Sequence, residues 1–503
     1  MVRKVNEPLP DDFDIDALLR SLEALADNHA LLGSLSESHR RRLLIASGRI
    51  SRPSRDEARS LRRTLAKNER DETRTQQDTL LANTGIRKLR DAPVFVTPFP
   101  NEIAATAQDN APATALPLAR ICYVCKARYQ SVHFFYDQLC ATCGDYNFAK
   151  RSPRADLSGR TALVTGARVK IGYQASVMLL RSGARVIVTT RFARDAAQRY
   201  AREPDFADFS QRLVIYGLDL RHTPSVERFA QELTQRESRL DFVIHNACQT
   251  VRRPAGFYAH LMDAERAERP PAQLASVLAQ HEAFRDSTRA LARGTQPHRS
   301  VGLTSAAEMS QWALHEDDRA RGDAMFPEGM LDADLQQRDL REQNSWRMQL
   351  AEVSTVELFE VQLVNAIAPF VLNARLRSLM NKTPAQDKHI VNVSAVEGQF
   401  YRENKTDKHP HTNMAKAALN MMTRTSASDF VRDGIHMNSV DTGWVTDEDP
   451  AHLSERKRAV HRFHPPLDIV DGAARIVDPI YRGITTGEQL YGLFLKDYKP
   501  VPW

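Results

Sequence analysis

The chain has no run of eighteen apolar residues, and its first sixteen positions carry Pro and four Asp rather than an apolar core. A membrane-spanning helix and a secretory leader are therefore both disfavoured. Cysteine is scarce, with five in 503 residues, four of them in two tight pairs. Such usage excludes a disulfide-stapled scaffold and suits a reducing compartment, so a cytoplasmic protein with a metal site is expected. No repeat of fixed period is present. What the chain does contain is 42% hydrophobic and 26% charged residues, the composition of a globular protein long enough for two or three domains.

The net charge of +6 has one address. Between Arg40 and Arg74 twelve Lys/Arg face five Asp/Glu, an excess of seven that accounts for the whole imbalance. A strip of this kind could meet nucleic acid or an acidic partner. Its arginines alternate with Leu and Ala, however, and no aromatics interleave with them as a stacking platform would need. A solvated helix face is the better expectation, and nucleic acid is not favoured.

Residues 1–95 read as helical, with Ile15, Leu18, Leu19, Leu22 and Leu25 at helical spacing on a face that must be covered. Gly48 and Pro53 punctuate the pattern before a second helical stretch from Asp56 to about Asn83. Pro93, Pro98, Pro100, Pro112 and Pro117 then mark a linker over 96–120. In the module that follows, 121–151, Cys122-x2-Cys125 and Cys140-x2-Cys143 are separated by fourteen residues. Two such knuckles can aim four thiolates at one zinc ion, and four protein ligands leave no open position, so a structural site is expected. Gly144 is expected to ease the backbone past the sulfurs. From Asp156 onward apolar β-branched runs alternate with helical stretches, as in an α/β parallel sheet covered on both faces.

Within that region a strand runs from Arg160 into Gly166-Ala-Arg-Val-Lys170-Ile171-Gly172, and a helix and a second strand, Arg185 to Thr190, follow. This is a βαβ unit of dinucleotide-binding type, with the helix N-terminus facing the pyrophosphate. Residues Asp156–Trp503 here resemble the short-chain dehydrogenase/reductase family. Its glycine signature stands as Thr165-Gly166-x3-Lys170-Ile171-Gly172. Asp219 matches the acidic residue that meets adenine, and Asn246-Ala247 the core of the Asn-Asn-Ala-Gly turn. Asn365 matches the active-site Asn, Lys416 the Lys of the Tyr-x3-Lys pair, and Thr442-Gly443 the Pro-Gly motif beside the nicotinamide. The resemblance implies a doubly wound Rossmann domain with Gly166, Lys170, Ile171, Gly172, Arg191, Asp219, Asn246, Ala247, Lys416 and Gly443 binding the coenzyme. Arg191, where a carboxylate would select NAD(H), favours NADP(H).

The pattern also breaks. Lys170 replaces the middle glycine, and Cys248, expected to be a small buried residue, replaces the last glycine of the turn after the fourth strand. Thr412 stands where the family carries its catalytic Tyr, and Ala395 where it carries its Ser; Ser394 is expected to face the other way. The segment between holds Tyr401, His409 and His411, each able to move a proton. Tyr401 is the provisional acid, with Asn365 ordering a proton-relay water and Lys416 holding the nicotinamide ribose. From Asn246 to Asn365 is 119 positions, so an insertion of about 250–345, charged and expected to be helical, falls at the carboxyl edge of the sheet as a lid or partner arm. The leading expectation is an NADP(H)-dependent carbonyl or alcohol oxidoreductase with an unidentified small-molecule substrate. A non-catalytic nucleotide-binding scaffold, docking a protein partner through the insertion or the N-terminal region, is the second, and nucleic-acid binding the third. Self-association is compatible with either.

Overall fold

The computed structural model describes residues 13–98, 115–152, 155–293, 305–319, 324–402 and 405–503. Two compact units emerge, Met1–Gln76 and Gln77–Trp503.

The first unit is built from α1 (Ile15–Asp27), α2 (Glu37–Ser51) and most of α3 (Arg55–Ala82). Each start has a cap. Asp14 accepts from the Ala17 N–H at 2.9 Å, Ser36 accepts from His39, and Ser54 and Glu57 exchange bonds as a capping box. Gly48 lies inside α2, so only Pro53 punctuates the pattern. The apolar stripe expected to be covered is open, with Ile15 50% and Leu19 46% exposed. Neither α1 nor α2 buries a single residue, so among the described residues nothing covers their apolar faces. Arg62, Arg63, Lys67 and Arg70 are exposed on α3.

The second unit opens with α4 (Gly85–Asp91) and a hairpin of β1 (Ala115–Ile121) and β2 (Arg128–Ser131), followed by α5 (Ala141–Ala149). The cysteine module therefore starts before residue 121, and Pro117 sits in a strand rather than in a linker. The register of the hairpin shifts between Ala115 and Arg120, which accommodates it. The module has too little core of its own, and Phe135, Tyr136 and Leu139 join the larger core of the α/β domain.

That domain is an eight-stranded sheet in the order β10-β9-β8-β7-β6-β3-β4-β5. Its strands are β3 (Thr161–Thr165), β4 (Arg185–Thr190), β5 (Leu213–Gly217), β6 (Phe242–His245), β7 (Lys388–Ser394), β8 (Ile435–Asp441), β9 (Phe494–Lys496) and β10 (Lys499–Val501). All pair in parallel except the β9–β10 hairpin. Period-two alternation feeds two cores: Ala162 and Val164 face one, Leu163 the other. The first core is closed by α6 (Lys170–Arg181) and α11 (Ile469–Thr486), the second by α7 (Thr223–Arg236), α9 (Thr355–Met380) and α10 (Pro410–Phe430). Each fully buried Leu or Val is worth about 1.5–3 kcal/mol. Among the described helices only α9 is long and apolar enough to cross a membrane, and it buries Leu372, Leu376 and Leu379 against the sheet.

The insertion is less helical than its composition suggests. Among its described residues only α8 (Ala275–Arg293) is long, and the other described elements are short turns, with a small aromatic cluster of Phe257, Tyr258 and Phe326 packed on Phe192. The sheet order reverses between β3 and β6, which opens a crevice at their carboxyl ends.

Candidate active site

Glycine is required at both fixed points of the β3–α6 turn. Gly166 has φ +67°, and a Cβ on it would lie 2.7 Å from Ala247 Cα. A Cβ on Gly172 would lie 2.2 Å from Asn246 Nδ2 and 2.5 Å from the Gly166 carbonyl. Asn246 Nδ2 donates to the Thr165 and Gly166 carbonyls at 3.2 and 3.0 Å, and the Ala247 N–H donates to Thr165 Oγ1 at 3.1 Å. The turns after β3 and β6 are thereby stitched together beside the free N–H groups that begin α6. Lys170 has φ +56°, the left-handed conformation that a glycine adopts at no cost. Its ammonium turns to Glu448, 3.7 Å away, and this proximity keeps the Lys170 pKa above and the Glu448 pKa below their ordinary values. Ile171 directs its side chain at Gly472 of α11, so only its backbone faces the turn.

At the end of β4, Arg191 Nη2 donates to the Tyr258 hydroxyl at 2.5 Å, and its guanidinium lies 4.5 Å above the Tyr258 ring. The insertion thus braces the arginine. Arg168, in the glycine turn, pairs with Asp195 at 2.6 Å and with Gln336 of the insertion. Asp219 is gripped by Arg221 through side chain and backbone at 2.6–3.1 Å. Burial raises its pKa, but the hydrogen bonds from Arg221 outweigh this and hold the carboxyl below the usual range.

At the other end of the cleft Lys416 is buried, and its ammonium donates to the Val393 carbonyl at 2.8 Å. Asn365, in a π-turn of α9, clamps Gln249: its Oδ1 accepts from the Gln249 N–H at 2.8 Å and its Nδ2 donates to the Gln249 carbonyl. Thr412 is buried on the cleft wall, and its hydroxyl has no hydrogen-bond partner among the described residues. Ala395 also lines the cleft, while Ser394 Oγ turns away to Asn420 Oδ1 at 2.6 Å. Tyr401 stands at the rim, 76% exposed, and the Lys416 ammonium is directed at Val393 instead. His409 lines the cleft, stacked on Trp346 of the insertion at 4.0 Å, and burial holds its pKa below the ordinary value. His411 faces Glu357 at 3.5 Å and does not line the cleft. Cys248 is exposed to the cleft rather than buried, since it follows a strand end where a side chain points into the crevice.

Every coenzyme-site residue expected from the sequence, and Tyr401, borders one continuous cleft of about 1960 Å³, whereas Asn365 and His411 do not. The insertion contributes Arg252, Tyr258 and Asp332–Asp334 to it, and the cysteine module contributes Tyr123 and Lys126. Tyr123, Tyr258 and Arg168 are site residues that the sequence does not announce as such. Only Arg168 had a local signal, its place inside the glycine turn.

The four cysteine sulfurs lie within 4.8 Å of one another, Cys125 and Cys140 at 3.7 Å. A tetrahedral ion with bonds of about 2.3 Å needs edges near 3.8 Å, which fits. The residue that eases the first knuckle is Lys126, with φ +61°. Gly144 is helical, and its role is different: a Cβ there would lie 2.5 Å from the His133 ring.

Comparison with known proteins matches residues 160–267 to the short chain dehydrogenase model and residues 342–468 to the enoyl-(acyl carrier protein) reductase model, on either side of the insertion. An uncharacterized protein of Acanthamoeba polyphaga mimivirus is 30% identical over 378 residues, 72% of this chain and 71% of that one. Dehydrogenase/reductase SDR family member 13 of Bos taurus is 37% identical over 116 residues, 22% of this chain and 30% of the relative. Retinol dehydrogenase 14 of Mus musculus is 41% identical over 102 residues, 18% of this chain and 30% of the relative. The chain thus spans less than a third of the length of these two animal relatives. Among solved structures, an NADPH-bound carbonyl reductase from chicken fatty liver is 17% identical with TM-score 0.41, covering 69% of this chain and all of that one.

Proposed function

We propose that the chain is a short-chain dehydrogenase/reductase that binds NADP(H) in the β3–β6 crevice and catalyses oxidoreduction of a carbonyl or alcohol substrate. The observation that carries the reading is the stitched cradle of Gly166, Gly172 and Asn246, where added methyl groups would collide with backbone. Backbone N–H groups at the start of α6 suit a pyrophosphate. Arg191, which follows Thr189-Thr190 at the end of β4 where the sequence carries no carboxylate, suits a 2′-phosphate.

Bound nicotinamide would supply the hydride donor or acceptor. The chain's own part is to position and to move a proton. Lys416 would hold the ribose and Asn365 would order a relay water. Tyr401, at the rim, is the provisional proton donor, since Thr412 has a hydroxyl too weakly acidic for that task. The four cysteines would bind a structural zinc, whose ligation supplies folding free energy to a module without its own core. Titration with NADPH and NADH by fluorescence, followed by turnover with a carbonyl panel in the wild type and in Tyr401→Phe, tests the reading. Tight NADPH binding with turnover lost in the variant supports it. Turnover surviving in Tyr401→Phe removes this acid.

One observation favours a second reading. Tyr401 is exposed and the usual Tyr and Ser positions are Thr412 and Ala395, which suits a module that holds the nucleotide without turning it over. Tight binding with no turnover would select it.

A further inference from the structure

The cysteine module lies against the turn after β8. Tyr123 sits inside the first knuckle, between Cys122 and Cys125, and its hydroxyl accepts from the Trp444 N–H at 3.0 Å. The same oxygen lies 3.4 Å from the position a Cβ on Gly443 would take. Tyr123 and Lys126 line the cleft together with Thr442, Gly443 and Trp444.

A second, independent route joins the module to the same turn. Arg151 donates to Asp468 at 2.8 Å through both terminal nitrogens and to Asp471 at 2.8 Å, while the Tyr136 hydroxyl donates to Asp471 at 2.5 Å. Asp468 and Asp471 form the capping box that starts α11. Leu467, just before it, stands behind Gly443, where an added Cβ would meet Leu467 Cδ1 at 2.5 Å, and its N–H donates to the Trp444 carbonyl. Gln138 adds a bond to the His464 carbonyl at 2.7 Å. The turn is thus held from the front by a knuckle tyrosine of the module and from behind by a buried cluster in which the module's Arg151 and Tyr136 grip the carboxylates that start α11.

We infer that the cysteine module is a working wall of the coenzyme site, in which Tyr123 is a positioning residue that fixes the Gly443–Trp444 turn against the nicotinamide end of NADP(H). This inference rests on the NADP(H) reading above. The knuckle fixes Tyr123 because the sulfurs on either side of it converge on one point, so losing the metal loosens the phenol and then the turn. The adenosine end, at Gly166, Gly172 and Arg191, is built by other elements and is not touched.

The test compares NADPH with adenosine 2′,5′-bisphosphate, which lacks the nicotinamide half. Both are titrated into the full chain as isolated, into Tyr123→Phe, and into protein stripped with a chelator, with melting followed in parallel. The variant is expected to bind NADPH about fivefold more weakly, the worth of one neutral hydrogen bond, and the bisphosphate unchanged. Chelation is expected to produce the same one-sided loss, and a larger one. An equal loss of both ligands, or of neither, in Tyr123→Phe would overturn the positioning role. Unchanged NADPH affinity after the metal is shown to have left would overturn the dependence on the knuckle. If neither ligand binds the wild type, the NADP(H) reading itself falls, an outcome separate from the other two.

Discussion

At the β3–α6 end of the cleft, the glycines matter by leaving room for the backbone. Gly166 and Gly172 leave room where methyl groups would strike Ala247, Asn246 and the Gly166 carbonyl, and Asn246 ties two turns together with its amide. At the other end the residues that matter would act through side chains, and the groups found there are a threonine with a hydroxyl unpartnered among the described residues, an alanine, and an exposed tyrosine at the rim. A backbone cradle tolerates few substitutions, because any Cβ is a collision. A side-chain constellation can lose members while the fold survives, and the two ends can therefore diverge independently.

Breaking the first end should have the largest effect. Gly172→Val would drive a branched side chain into Asn246 and the Gly166 carbonyl, and NADPH binding should weaken by about 100-fold or more, roughly 3 kcal/mol. Fluorescence titration measures it, with circular dichroism checking that the sheet persists. Next comes Arg191→Glu, which should weaken NADPH by about 30-fold, close to 2 kcal/mol, and leave NADH within about threefold. Equal losses for both coenzymes would show that Arg191 serves the Tyr258 contact and not a phosphate.

A pH experiment separates fold from site. Burial lowers His245 to about 4 and His389 to about 3, so both are neutral in the folded protein. Their folded values lie below the ordinary one near 6.5, so the stability they contribute is complete above that pH. It is lost as the pH falls toward 4, with a slope of about 1.4 kcal/mol per pH unit for each group. Melting between pH 7.5 and 4.5 should show this decline, and His245→Gln should make it shallower by one group. The smallest effect expected is that of removing residues 1–76. Coenzyme affinity should stay within about twofold, since none of the described residues among them lines the cleft.

The coenzyme end was legible in the sequence because its signals are local. A glycine at a strand end and another at a helix start fall within seven positions, and the Asn-Ala pair directly follows a buried strand. The strand-end geometry that turned Ser394 toward Asn420 could be read the same way, from alternation. What was hidden is non-local. Tyr123 meets Trp444 across 321 positions, and Arg191 meets Tyr258 through an insertion whose irregular path has no period to read. Cys248 was misjudged for a related reason: its type favours burial, but its place just beyond a parallel strand exposes it to the crevice. The stripe on α1 illustrates the converse, since an amphipathic pattern reports a need for cover and not that cover exists in the unit.

The central claim is that the crevice between β3 and β6 holds a 2′-phosphorylated nicotinamide coenzyme. Equilibrium titration of the full-length protein with NADPH and with NADH tests it most directly. Saturable binding of NADPH at least about tenfold tighter than NADH, a difference of about 1.4 kcal/mol, is the predicted result. Tighter binding of NADH, or no binding of either, would contradict it.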